Sequence, residues 1–172
     1  AGLVSLSDFV SDGGTITGHR FQSGLIFDRN NVTLRSCLFD EGVNGYYAGT
    51  HHPFTLEWCT VAPPGAAGDN AVCFQDYTAT RCRLGGCSDG VKINGGVTLT
   101  ECFIRTKAQD SADHNDGAQA VGSYTGNTIV RCNIDCRPIG GGGGPNAAIF
   151  VADSSAGLQV VTDNWLAGGQ YT

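Results

Sequence analysis

Apolar and polar residues alternate in a short phrase that recurs along the chain. With h for an apolar residue and x for any residue, the phrase is hxhxxCxh. Five copies carry a cysteine at the same place, called here the cysteine slot: Cys37, Cys59, Cys82, Cys102 and Cys132. The alternation predicts a short strand with one buried face. The two residues before the slot predict a tight turn into a second short strand.

The phrase continues in weaker form towards both ends of the chain. His19 takes the slot in the first copy and Asp163 takes it in the last, so the slots lie 18, 22, 23, 20, 30 and 31 residues apart. A repeat of this length cannot bury its own apolar side, so neighbouring copies must stack. Helical periodicity is absent, and 26 glycines interrupt the chain. The sequence therefore predicts one all-β domain over residues 1–172, a parallel β-solenoid of about six to seven coils.

The slot cysteines are predicted to form an inward ladder. Stacked parallel strands lie about 4.8 Å apart. Parallel Cα–Cβ bonds then keep neighbouring Cβ atoms beyond the usual disulfide range of about 3.5–4.5 Å. We expect reduced, buried side chains that behave as small apolar groups, which favours synthesis in a cytoplasm. Cys73, Cys87 and Cys136 fall outside the ladder, and Cys87 with the ladder residue Cys82 is the best placed pair for a local disulfide.

Charge and hydropathy exclude two classes of partner. The net charge is −6 and no basic cluster is present, so nucleic acid is not an expected partner. No apolar run approaches the ~20 residues of a membrane helix, so no membrane is expected either.

The slot phrases VTLRSCLF, VTLTECFI and NTIVRCNI resemble the repeat of the pectate-lyase-like superfamily, in which Asn often holds the slot. The resemblance implies a right-handed parallel β-helix over nearly the whole chain. The superfamily contains both polysaccharide-degrading enzymes and non-catalytic virion parts. The segment from His114 to Gln119, HNDGAQ, resembles the HxDGxQ phrase of phage and actinobacterial β-helix proteins, which implies a phage or bacterial-surface context.

A further strand follows an acidic or amide turn residue in four coils, beginning after Asp69, Asp89, Asp116 and Pro145. Alternation predicts that Lys92 and Gln119 point outward as vertical neighbours, with Asp89 and Asp116 stacked just before them. The remaining outward positions are Val72, Phe74, Asn94, Val121, Ala148 and Phe150. The inward positions are Ala71, Cys73, Val91, Ile93, Ala118, Ala120, Ala147 and Ile149.

Two long connections, 105–115 and 137–145, enter this strand and predict the rim of a shallow groove. Its candidate catalytic residues are Lys92, Asp89, His114 and Asp116. Its candidate ligand-binding residues are Gln119, Asn94 and Arg105.

A lyase needs a base and a cation, so Lys92 or His114 is the candidate base, and Asp110, Asp113 and Asp116 are candidate calcium ligands. A hydrolase needs two carboxylates about 5–9 Å apart, which fits Asp89 and Asp116 on neighbouring coils. The alternative is turn chemistry, in which each carboxylate bonds nearby N–H groups and the following Gly takes a positive φ. No metal site is predicted as part of the fold. Calcium is the one candidate cofactor.

Two functions remain open. The first is a non-catalytic structural protein of a bacteriophage virion, a capsid decoration or tail-associated part. It would be made in the host cytoplasm, form a homotrimer through an apolar side strip, and contact other virion proteins and glycans. The second is a secreted polysaccharide lyase or glycoside hydrolase acting on acidic polysaccharide. The short chain and the reduced cysteines favour the first.

Overall fold

The computed structural model describes residues 4–61, 70–106, 115–121, 125–137, 146–152, 157 and 159–169. These residues form β-strands joined by turns, with a single 3-10 turn at Leu6–Asp8. None of the helical structure in this part of the chain is long and apolar enough to cross a membrane.

Three parallel sheets hold most of the strands. Sheet 1 contains Thr15–Thr17, Val32–Arg35, Phe54–Glu57, Tyr77–Thr80, Thr98–Thr100, Asn127–Val130 and Gln159–Thr162. Sheet 2 contains Arg20–Phe21, Leu38–Phe39, Thr60–Val61, Arg83–Gly85, Phe103–Arg105, Asn133–Asp135 and Trp165–Ala167. Sheet 3 contains Val43–Asn44, Asn70–Cys73, Asp89–Lys92, Asp116–Val121 and Ala147–Ala152.

Two smaller pairs complete the strands. Val4–Ser5 runs parallel to Leu25–Ile26, and Tyr46–Tyr47 runs antiparallel to Thr50–His51. In the three large sheets the chain passes from sheet 1 to sheet 2 to sheet 3 and back, and each strand pairs with the strand one pass earlier. One such pass is called a repeat below. The stacked parallel sheets are compatible with a parallel β-helix, and the strand–turn–strand prediction for the slot phrase is confirmed.

The turn before each slot has the same backbone conformation in all seven repeats. Its last residue is left-handed, with φ between 52° and 69°: Gly18, Ser36, Trp58, Arg81, Glu101, Arg131 and Asp163. This conformation costs a non-glycine residue about 1–2 kcal/mol. In five repeats the residue after this turn is a buried cysteine, whereas His19 in the first repeat is exposed.

The cysteine ladder lies in the core, as predicted. All five slot cysteines are buried, and all five are free thiols. The N–H of Cys37 donates to Sγ of Cys59, the N–H of Cys59 to Sγ of Cys82, and the N–H of Cys102 to Sγ of Cys132, each at 3.4 Å. Because Cys82 is a free thiol, the local disulfide with Cys87 is not formed.

The slot of the last repeat was assigned wrongly from the sequence. Asn127 pairs with Gln159 and Val130 with Thr162, which places Asn164, not Asp163, beside Cys132. Oδ1 of Asn164 accepts the N–H of Cys132 at 2.7 Å, and its Nδ2 donates to the carbonyl of Ile129 at 2.8 Å. Asp163 is instead the left-handed turn residue. The error arose because the strand begins at Gln159, an amide in a position that is apolar in most copies.

Apolar residues stack between the sheets in columns along the repeats. Phe27, Phe54 and Tyr77 form one aromatic column, with ring centroids 4.6 and 5.4 Å apart. Leu6 is fully buried near the first repeats. At the other end, Val161 and Leu166 continue the columns of Ile129 and Ile134 but are 44% and 40% exposed.

Candidate functional site on the third sheet

The structure places four of the predicted site residues together on sheet 3. Asp89 and Lys92 lie on one strand, and Asp116 and Gln119 lie on the next. Val91 pairs with Ala118 and Lys92 pairs with Gln119. Lys92 and Gln119 are therefore vertical neighbours, as expected, and the two aspartates occupy equivalent positions.

Both aspartates bond the backbone of the next repeat. Oδ1 of Asp89 accepts the N–H of Asp116 at 2.9 Å, and Oδ1 of Asp116 accepts the N–H of Ala147 at 3.0 Å. Asp89 is 8% exposed and Asp116 is 0% exposed. Each carboxylate thus satisfies a buried backbone donor that would otherwise lack a partner.

The second oxygen of each aspartate binds a side chain three residues later. Oδ2 of Asp89 accepts Nζ of Lys92 at 2.7 Å, and Oδ2 of Asp116 accepts Nε2 of Gln119 at 2.7 Å. In both repeats, therefore, an aspartate binds the side chain three residues later. That side chain is the Lys92 ammonium in one repeat and the neutral Gln119 amide in the other. The charge of Lys92 is already compensated by Asp89.

Burial and the nearby Asp89 carboxylate disfavour the charged form of Asp116. Burial, followed by the neighbouring charge of Asp89, raises the pKa of Asp116 to about 6, although hydrogen bonds from Gln119 and the Ala147 N–H act in the opposite direction. Such a pKa suits a general acid. The carboxyl group is nevertheless fully covered, so a surface-bound polymer cannot reach it in this conformation.

The glycines after the aspartates have a role different from the predicted one. Neither Gly90 nor Gly117 is among the glycines with positive φ. Instead, a Cβ on Gly90 would lie 2.2 Å from the carbonyl oxygen of Gly117, and a Cβ on Gly117 would lie 2.4 Å from that of Ala148. The glycines allow close approach of successive repeats.

Arg105, a predicted ligand-binding residue, is held by an ion pair. Its Nη1 lies 3.0 Å from Oδ2 of Asp135, the residue with which it pairs in the next repeat. Arg137 donates to the same carboxylate from Nε and Nη2 at 2.9 and 2.8 Å. The hydrogen bonds from Arg137, with a smaller effect of the Arg105 charge, lower the pKa of Asp135 to about 2. Sequence reasoning missed Asp135 and Arg137, although their i, i+2 spacing of opposite charges was a usable signal.

A buried thiol lies close to these carboxylates. Burial raises the pKa of Cys136 to about 12, and the negative charges of Asp116, Asp135 and Asp89 act in the same direction. Cys136 therefore stays protonated at neutral pH and is a packing residue, not a nucleophile.

The predicted outward positions on sheet 3 are partly wrong. Asn70, not Asp69, pairs with Asp89, and Ala147 pairs with Asp116. Val72 and Ala148 were expected to point outward, but both are buried. Cys73 was expected inward, yet it lies half-buried in the column of Lys92. The outward column, in repeat order, is Asn44, Cys73, Lys92, Gln119 and Phe150.

Two physical reasons explain these errors. Adjacent polar residues Asp69 and Asn70 gave no indication of which one starts the strand, and a one-residue shift reverses every side chain. Ala148 follows the column of Gly90 and Gly117, where an added Cβ would meet the backbone of the next repeat and buried side chains such as Ile134.

An aromatic hairpin borders this column and was not predicted. Its strands, Tyr46–Tyr47 and Thr50–His51, are joined by Ala48 and Gly49 with φ of 50° and 84°, the conformation of a type I′ turn. The ring of Tyr46 lies 4.9 Å from that of His51 and 5.6 Å from that of Phe74. Tyr46 and Tyr47 are 45% and 43% exposed. A glycine after a short aromatic run was the available sequence signal.

The remaining predicted site residues are Asn94, His114, Asp110 and Asp113. Asn94 lies beside Phe74, whose carbonyl accepts the Asn94 N–H at 2.9 Å. His114, Asp110 and Asp113 lie outside the described residues. Within the residues that the structure does describe, no group of three or more His, Cys, Asp or Glu side chains is arranged to hold a metal ion.

Comparisons with known proteins found no relative of this chain. No protein-family model matches the chain, and no match to a curated protein or a solved structure is found.

Proposed function

We propose that residues 1–172 form a single right-handed parallel β-helix of about six to seven coils that acts as a non-catalytic structural protein of a bacteriophage virion. The observation that carries the non-catalytic role is the Asp116 carboxylate, which is 0% exposed and bound by the Ala147 N–H and the Gln119 amide. Its hydrogen bonds serve the stacking of repeats, and they leave no oxygen turned towards a substrate.

A cytoplasmic origin is supported by the free thiols of the ladder. These side chains pack as small apolar groups and donate to backbone carbonyls, for example Cys59 to Leu34 at 3.1 Å. A ladder of this kind suits a protein made in a reducing host cytoplasm and then assembled into a particle as a decoration or tail-associated part.

Assembly as a homotrimer, with contacts to other virion proteins, is supported by exposed apolar residues near the last repeats. Five of them are 38–48% exposed: Val151, Val160, Val161, Trp165 and Leu166. This set is called the terminal patch. The side strip predicted from the sequence consists of Phe74, Val121, Ala148 and Phe150. The terminal patch is more exposed than this strip, because Ala148 is buried and Phe74 and Phe150 are half-buried. Exposed apolar groups of this number are typical of a subunit interface.

Light scattering after size exclusion tests the assembly. We expect a trimer for the unchanged chain and a monomer for Val161→Asp and Leu166→Asp, because each places a charge within the interface. Tyr47→Asp has matched exposure at a distant site and is expected to stay trimeric. A monomeric unchanged chain would contradict the proposal.

The second candidate, a secreted polysaccharide lyase or hydrolase, is favoured by one observation, the pKa of Asp116 near 6. The purified chain is incubated with polygalacturonate and alginate, with and without calcium, while unsaturated product and new reducing ends are measured. The structural proposal predicts neither product. Product that disappears in both Lys92→Ala and Asp116→Asn would establish the enzyme instead.

A further inference from the structure

The aromatic hairpin exposes rings that the packing of the repeats does not need. Tyr46, His51 and Phe74 form a mutual cluster, with the His51 and Phe74 rings 5.8 Å apart. Tyr46 and Tyr47 leave more than 40% of their surface to solvent. The type I′ turn fixes the backbone of the hairpin. The rings therefore lose little conformational entropy when they bind a ligand.

Hydrogen-bonding groups lie directly beside the rings. Asn94 contacts Phe74 through its backbone, and the Lys92–Gln119 pair continues the same outward face. Oδ1 of Asn94 and Nδ1 of His51 are buried atoms for which no hydrogen-bond partner is found. An unsatisfied buried polar atom is costly, so a rearrangement that pairs these groups with a ligand is favourable.

The charge of this face selects against anions. Asp89 and Asp116 contribute two carboxylates, whereas Lys92 contributes one ammonium that is bound to Asp89 at 2.7 Å. No other cation among the described residues of sheet 3 lies on this strand pair. A uronate carboxylate placed here would meet net negative charge.

We infer that the aromatic hairpin, Phe74 and the Asn94–Lys92–Gln119 face form a binding site for a neutral saccharide. Sugar rings present an apolar C–H face that fits Tyr46 and Phe74, and a hydroxyl edge that fits amide and ammonium groups. This inference rests on the proposed function, since it assumes that the same face binds a glycan without cleaving it. The hairpin lies about four repeats, or about 19 Å at about 4.8 Å per strand, from the last repeat, which carries Val160 and Trp165. Gln119, at the other end of the face, pairs with Phe150, the residue before Val151 of the terminal patch.

A glycan array of neutral and uronate-containing oligosaccharides, followed by titration calorimetry, tests the inference. We expect binding of neutral members, including at least one of maltohexaose, cellohexaose and mannohexaose, and at least tenfold weaker binding of hexagalacturonate. Tyr46→Ala and Phe74→Ala should each weaken binding about tenfold, the loss of about 1.4 kcal/mol expected for one aromatic contact. Trp58→Ala, which changes an exposed aromatic in the turn between sheets 1 and 2, should bind as the unchanged chain does.

Three outcomes would overturn the inference: no neutral member binds, hexagalacturonate binds equally well, or Tyr46→Ala binds with unchanged affinity. Because Tyr46 is exposed, its substitution leaves the fold intact even if Phe74→Ala unfolds. Product analysis and light scattering on the same samples separate this result from the proposed function. Cleavage of the bound glycan refutes the non-catalytic role, whereas loss of binding with an intact trimer refutes only the saccharide site.

Discussion

Replacing Asp116 by Asn tests whether burial and the Asp89 charge control this carboxyl group. Asparagine keeps an oxygen for the Ala147 N–H and removes the charge. The pKa of Asp116 is raised from 3.8 to about 6 in the folded chain. A raised carboxyl pKa means that the folded state binds the proton more tightly than the unfolded state does. Proton binding by Asp116 therefore stabilises the folded state at low pH, and this stabilisation is lost as pH rises from about 4 to about 6.

The expected size follows from the shift. A change of about two pKa units corresponds to on the order of 3 kcal/mol. Relative to the unchanged chain, Asp116→Asn should therefore gain on the order of 3 kcal/mol of unfolding free energy between pH 4 and pH 7. Other carboxyl groups titrate in both proteins, so their contributions largely cancel in the difference.

Urea denaturation at a series of pH values measures this difference. The control is Asn133→Ala, which changes an exposed side chain that does not titrate, so its difference from the unchanged chain should vary little with pH. A difference for Asp116→Asn that stays constant from pH 4 to pH 7 would refute the reasoning about burial and the Asp89 charge.

Three further predictions concern stability, and urea denaturation checks each. Asn164→Ala should cost about 1–3 kcal/mol, because the Cys132 N–H loses its acceptor, and Asn164→Cys should restore much of the loss. Gly117→Ala should cost at least about 1–3 kcal/mol, because its Cβ would press on the Ala148 carbonyl; an unchanged midpoint would contradict the close approach. Asp135→Asn should cost on the order of 2 kcal/mol at pH 7, and the difference should vanish as pH falls from about 4 to about 2, since the folded pKa of Asp135 is lowered.

The repeat could be predicted from the sequence because it depends on a local pattern. The strand, the left-handed turn residue and the buried cysteine follow one another within eight residues, so a single alignment places them in sheets 1 and 2. The stacking of Lys92 on Gln119 followed from the same periodicity, because the Asp-Gly pairs before them fix a common register.

The errors lie where distant contacts decide the register. The choice between Asp69 and Asn70, and the burial of Ala148, depend on which strand lies in the next repeat. Asp135 is held by Arg105, thirty residues earlier, and the aromatic cluster joins Tyr46 to Phe74 across a repeat. None of these contacts leaves a periodic signal in the chain.

Amide hydrogen exchange of Ala147 tests the structural role of Asp116 most directly. In the unchanged chain we expect this N–H to be strongly protected at neutral pH, because the carboxylate accepts it at 3.0 Å within the core. Protection should persist in Asp116→Asn and fall in Asp116→Ala. Rapid exchange in the unchanged chain, or equal protection in all three proteins, would contradict the assignment of this carboxylate to the fold.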